Sequence, residues 1–189
     1  MTEFRSISLV AMGGNLPSEV GSPQYTLAAA VAELSKLGLQ VRAISRFFHT
    51  PCFPAGAGPD YVNAVIEVAS TLSPVEILAQ LHAVETRFAR VRDQRWGMRT
   101  LDLDLIAVAD QILPDRETIV KWQGLPLEEQ MRLAPDQLVL PHPRVQDRAF
   151  VLVPLCDIAP NWQHPVLGHS AAQMLAALPE ADITDVKPL

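Results

Sequence analysis

The chain has 189 residues, 49% of them apolar, and a formal net charge of −6. That length supports one domain with a sizeable core, expected to span residues 1–189. It carries no basic-then-apolar leader and no apolar run near the roughly 20 residues a membrane-spanning helix needs, so a cytoplasmic protein without a membrane partner is expected. Cys52 and Cys156 have neither CxxC nor zinc-ligand spacing, which indicates neither a redox pair nor a structural metal site.

Residues 6 to 12 (SISLVAM) are β-branched and apolar and end at Gly13-Gly14-Asn15, which predicts a strand leaving the core through a turn. Ser22-Pro23 offers an N-cap with proline at the first helical position. Leu27, Ala30, Val31, Leu34 and Leu37 then recur at helical spacing up to Gly38. The alternation of LQVRAISRFF (39–48) and of YVNAVIEVAS (61–70) predicts two strands joined by a proline- and glycine-rich loop. Ser73-Pro74-Val75-Glu76 is a capping box, and Ile77, Leu78, Leu81, Val84 and Phe88 give the next helix its buried stripe. TLDLDLIAVA (100–109) returns as a central strand.

The order β-α-β-β-α-β predicts an α+β fold with a ferredoxin-like core over residues 5–109 and C-terminal additions, three-layered α/β/α. Residues 110–140 read as an elaboration with one short helix in LPLEEQMRL. In the C-terminal part, 141–189, the run 149–160 is a helix or extended segment, and 169–178 a last helix.

Charge is unevenly spread. Residues 87–99 hold five arginines (Arg87, Arg90, Arg92, Arg95, Arg99) against Asp93, a local +4 that leaves −10 for the rest. The planar guanidinium fork suits phosphate, whereas an acidic remainder argues against a nucleic-acid surface, so a small polyphosphate is the expected anion. Directly after this cluster, Asp102 and Asp104 share one face of the predicted strand, about 7 Å apart, while Leu101, Leu103 and Leu105 take the other. Carboxylates so spaced can each reach a magnesium ion or bracket two ions about 3.5 to 4 Å apart. An acidic solvated strand face is the bland reading of D-x-D alone. The neighbouring arginines favour the other, since phosphate-bound ions would satisfy both sets of charges. Trp96-Gly97 in the arginine loop reads either as a segment that folds an aromatic ring over a ligand or as an anchor of the loop to the body.

The run RWGMRTLDLDLI (95–106) closely resembles the signature of the 6-hydroxymethyl-7,8-dihydropterin pyrophosphokinase family of the folate pathway. Gly13-Gly14-Asn15-Leu16, Phe48-His49-Thr50-Pro51, Pro59-Asp60-Tyr61-Val62-Asn63-Ala64, Glu85 with Arg90-Val91-Arg92, and Pro141-His142-Pro143 with Asp147-Arg148-Ala149-Phe150 resemble further family segments, in order over residues 7–160. Met98, Cys52-Phe53 and the longer stretch 110–138 depart from the family's usual pattern.

The resemblance implies transfer of diphosphate from ATP to the hydroxymethyl group of a reduced pterin, giving AMP. It implies Arg90, Arg99, Asp102 and Asp104 as catalytic residues, with two Mg2+ ions on Asp102 and Asp104. ATP contacts would come from Glu85, Arg92, Trp96, Leu105, His142 and Arg148. Thr50, Cys52, Phe53, Tyr61, Asn63, Trp96 and Phe150 would meet the pterin, the Asn63 amide matching the pyrimidinone edge and Tyr61 and Phe150 the ring faces. A monomer is the expected state. No GxxxxGK[ST] or GxGxxG occurs, no catalytic base stands out, and His82, His164 and His169 receive no role. Two other classes stay open on the residues alone, a ferredoxin-like small-ligand sensor and a two-metal phosphoesterase.

Overall fold

A computed structural model describes residues 5–52, 56, 58–88 and 99–189. The expected roles of Phe53, Arg90, Arg92 and Trp96, and the reading of the loop around Trp96, lie outside the described residues.

The strands are β1 (Ser6–Gly14), β2 (Gln40–Ile44), β3 (Phe48–Thr50), β4 (Tyr61–Ser70), β5 (Asp102–Val108) and β6 (Lys187–Pro188). The helices are α1 (Pro23–Lys36), α2 (Pro74–Arg87), α3 (Arg116–Gln123), α4 (Leu127–Arg132), α5 (Ala149–Ile158), α6 (Ala171–Ala176) and α7 (Glu180–Thr184). The strands form one antiparallel sheet in the order β5-β1-β4-β3-β6, with β2 also on β4. This is the expected ferredoxin-like arrangement. Residues 8–14 of β1 are all buried, because β1 is central and both faces of the sheet are covered.

On one face Val10, Met12, Leu103 and Leu105 pack against Leu27, Ala30 and Leu34 of α1 and Ile77, Leu81 and Val84 of α2. On the other, Leu9, Ala11, Val65 and Ile106 meet Val151, Leu152 and Leu155 of α5 and Ala171 and Met174 of α6. The local signals operate as read. Ser73 accepts from the Glu76 N–H while Glu76 accepts from the Ser73 N–H at 2.8 Å, and Gly38, at φ 85°, ends α1.

Three expectations need correction. The run 39–48 is two strands rather than one. The register slips at Arg42 and again before Phe48, and the Ser45 hydroxyl takes the Val65 N–H at 2.9 Å in place of a backbone carbonyl, which turns the chain aside. The elaboration holds α3 as well as the expected short helix, α4; Asp115 caps α3 by accepting from the Thr118 N–H at 2.8 Å. The helix α6 is not the last element, since α7 and β6 follow it and β6 pairs with β3. Among the described residues, no helix is long and apolar enough to cross a membrane.

Candidate active site

Alternation and register fix the floor of the site. Asp102 and Asp104 of β5 lie opposite Gly13 and Ala11 of β1, which in turn lie opposite Asn63 and Val65 of β4. The face bearing the aspartates therefore also bears Asn63 and Tyr61, while Leu101, Leu103 and Leu105 point into the α1/α2 core. Gly13 lies between Asp102 and Asn63. A Cβ there would lie 2.6 Å from Asn63 Oδ1, so glycine is what lets the amide lie across the strand. Above this floor is a cavity of about 650 Å³. Its walls include Thr50, Tyr61, Asn63 and Phe150 at one end and Arg99, Asp102, Asp104, Leu105, His142 and Arg148 towards the other.

At the β4 end, Asn63 is only 6% exposed and donates from Nδ2 to Thr50 Oγ1 at 2.6 Å. Its Oδ1 lies over Gly13. Tyr61 is half-buried, and burial raises its phenol pKa, with Cys52 adding to the effect. The buried Cys52 donates its backbone N–H to Asp60 Oδ1 at 3.0 Å. Phe150 stands at the start of α5, with the Arg148 guanidinium 5.6 Å from its ring centre.

At the β5 end the charges are paired. Arg99 bonds directly to Asp102, and Arg148 lies 3.6 Å from Asp104. Burial pushes the Arg148 pKa down, opposed by Asp104. An extra residue in β5 opposite Leu9 and Val10 makes a bulge at Ile106, whose carbonyl accepts the His142 N–H at 2.8 Å and brings the 140s to the sheet edge. His142 Nδ1 accepts from the Arg144 N–H at 3.1 Å. Burial, with Arg148 and Arg144 close by, pushes its imidazole down to about 3, so it is neutral at physiological pH.

Glu85 is not among the cavity-lining residues. It is 1% exposed and its Oε1 accepts the Leu103 N–H at 2.8 Å, so it holds from beneath the strand that carries both aspartates. The sequence reading also passed over four contributors. Asn15 accepts the Arg99 N–H at 2.8 Å and donates to the Pro59 carbonyl at 3.0 Å, joining the two ends of the cavity. Gly13 shapes the floor, and Arg144 and Trp122 line the walls. Of these, Gly13-Gly14-Asn15 was visible as a turn; the distance in sequence between Asn15 and its partners gave no signal.

Among the described residues, no group of three or more His, Cys, Asp or Glu forms a metal cage. The donor set instead fits Mg2+, which is usually held by one or two carboxylates together with substrate phosphates.

A sheet face that sets two carboxylates beside arginines at one end and a buried amide at the other has the donor chemistry that phosphoryl or diphosphoryl transfer requires. The family model of 7,8-dihydro-6-hydroxymethylpterin-pyrophosphokinase (HPPK) matches residues 9–160, and the chain belongs to that family. It is an ATP-dependent diphosphotransferase of folate biosynthesis. A 2-amino-4-hydroxy-6-hydroxymethyldihydropteridine pyrophosphokinase of Synechocystis sp. is 37% identical over 183 residues, 96% of this chain and 80% of the relative. One of Pseudomonas aeruginosa is 34% identical over 90% of each. The fold is similar to that of a solved Plasmodium falciparum HPPK-DHPS (wild type, with pteroate), with TM-score 0.66 and 12% identity. The match covers 93% of this chain and 45% of that one, so this chain spans under half the length of that protein.

Proposed function

We propose that this cavity binds ATP and 6-hydroxymethyl-7,8-dihydropterin end to end and transfers the terminal diphosphate of ATP to the pterin hydroxyl, releasing AMP. Asn63 would present its amide to the pyrimidinone edge, with Thr50 fixing the amide's rotation and Tyr61 and Phe150 against the ring faces. The acceptor hydroxyl then lies over Gly13, the one position on this floor without a side chain between Asn63 and Asp102.

Asp102 and Asp104 would hold two magnesium ions that arrive with the ATP phosphates; when bound, these neutralise the triphosphate and leave the β phosphorus more open to attack. Arg99 and Arg148, each paired with one aspartate here, lie where they can turn to phosphate oxygens once the carboxylates engage the ions. His142 would reach the nucleotide as a neutral imidazole, with Arg144 a further phosphate contact. Glu85 acts by positioning β5. Arg90, Arg92 and Trp96 keep their proposed phosphate and ligand-covering roles on the strength of the family resemblance. Positioning and electrostatics carry the rate, which suits a reaction of this kind.

The observation that carries this reading is the placement of Asp102 and Asn63 on one sheet face, a single glycine between them. Incubation with ATP, Mg2+ and hydroxymethyldihydropterin tests it. AMP release that requires the pterin is the expected result. Phosphate release without pterin would instead support a phosphoesterase, and no turnover a sensor.

A further inference from the structure

The 114–139 elaboration is closed at its neck, where Leu113 and Leu140 exchange backbone hydrogen bonds of 2.8 and 3.0 Å. Inside it, Ile119 of α3 is fully buried against Val139 and Val166, Trp122 packs partly on the same cluster, and Arg116 donates to the Val166 carbonyl at 2.8 Å. Covering the open edge of β5 would account for this much. It does not account for the remainder of Trp122, which opens into the same cavity as Asp102 and Asp104, as do Leu133, Pro135 and Leu138. Leu133 is largely exposed, an apolar side chain that leaves the elaboration for the cavity wall without being needed in a core.

Sheet order gives the cavity a direction. From β4 to β1 to β5 is two strand spacings, roughly 10 Å, and leads from Asn63 past Gly13 to the aspartates. The elaboration comes next, beyond β5. ATP is also linear: the transferred diphosphate comes first, then the α phosphate, the ribose and a flat, largely apolar base. With the acceptor over Gly13 and the phosphates at Asp102 and Asp104, the base must end on the far side of β5.

We propose that the elaboration is a nucleobase-recognition element, with Trp122 supplying the aromatic wall for the adenine ring and Leu133 and Leu138 the apolar margin. This assignment rests on the proposed reading of the cavity and extends it to a segment that the sequence left without a role. Base-on-indole contact adds affinity for the nucleoside part of ATP and none for its phosphates.

Titration calorimetry with Mg2+ and α,β-methylene ATP, or with Mg2+ and tripolyphosphate, separates these parts. Trp122→Ala is expected to weaken the ATP analogue about tenfold while leaving tripolyphosphate and pterin binding within about twofold of wild type; Trp122→Phe should retain most of the affinity. In a Trp96→Phe background, tryptophan emission should change with the ATP analogue and not with tripolyphosphate, and adding Trp122→Phe should abolish that response. Should Trp122→Ala fail to fold, Leu133→Ser, which removes an exposed side chain, is expected to lower affinity for the analogue alone by about threefold. Unchanged analogue affinity in these variants, or equal losses for analogue and tripolyphosphate, would overturn the assignment while leaving the phosphate and pterin sites standing. A wild-type protein that binds neither the ATP analogue nor tripolyphosphate would overturn the reading of the cavity itself.

Discussion

The two ends of the cavity are built by different physics. At the β4 end the polar contacts are short, neutral and already made: Asn63 and Thr50 are buried, hydrogen-bonded to each other, and locked by strand register. At the β5 end, Arg99 with Asp102 and Arg148 with Asp104 form ion pairs that are partly open to the cavity. A neutral, flat acceptor needs a rigid template that it can enter with little reorganisation, so a prebuilt amide suits it. A charged, metal-bearing donor needs carboxylates that are kept apart from one another's repulsion until it arrives. On the proposed reading, Arg99 and Arg148 serve as provisional partners and then pass to phosphate.

The sharpest way to break this comparison is at the aspartates. Asp102→Asn or Asp104→Asn is expected to cut turnover about 10²- to 10³-fold, read as AMP release, with the thermal unfolding profile preserved. Ordinary turnover in either variant would remove the metal assignment. At the other end, Asn63→Leu should weaken pterin binding about tenfold or more and leave the ATP analogue almost unaffected; equal losses for both ligands would erase the distinction between the ends. Glu85→Ala should lower stability by about 1–3 kcal/mol, because the Leu103 N–H loses its acceptor inside the core. Glu85→Gln, which keeps an acceptor oxygen, should lose less, as measured by denaturant midpoints.

Acid gives the smallest effect. Burial holds Tyr61 above its ordinary pKa, so this phenol stays protonated throughout the acid range. His142 is pushed down to about 3 in the folded state against about 6.5 unfolded. Between those values the unfolded chain binds the extra proton, so the stability it contributes is complete above pH 6.5 and is lost progressively towards pH 3. His164, buried beside Trp162 and pushed down to about 4, acts in the same direction over a narrower range. The Tm is expected to fall by a few degrees between pH 7 and pH 4.5, and His142→Gln and His164→Gln should each flatten part of that slope. A flat profile in the wild-type protein would contradict the lowered pKa of both rings.

Much of the frame was legible because its determinants are local. Ser73 and Glu76 lie three residues apart, Pro23 and Pro74 open their helices, and D-x-D in a strand fixes both aspartates on one face by pleat alone. The β2/β3 break was not legible, since a side-chain hydroxyl replacing a carbonyl in the ladder leaves no mark on the hydrophobic pattern. The helix α3 was missed for a related reason. Its sequence, RETIVKWQ, buries only Ile119, and that single contact is made with Val139 and Val166, far along the chain. Within the site, Asp102 and Asp104, read from alternation, and Tyr61 and Asn63, read from the resemblance, line the cavity together. Those that depend on distant chain segments, Asn15, Arg144 and Trp122, needed the fold.

Asn15 carries one last implication. Its side chain grips the backbone of Arg99 with one atom and the carbonyl of Pro59 with another, partners that lie 84 and 44 residues further along the chain. The two loops are thus yoked in series through one amide. Dragging Pro59 outward must either snap that link or tug Arg99 along with it, so a disturbance that starts at the mouth of β4 is transmitted mechanically to the residue whose guanidinium holds Asp102.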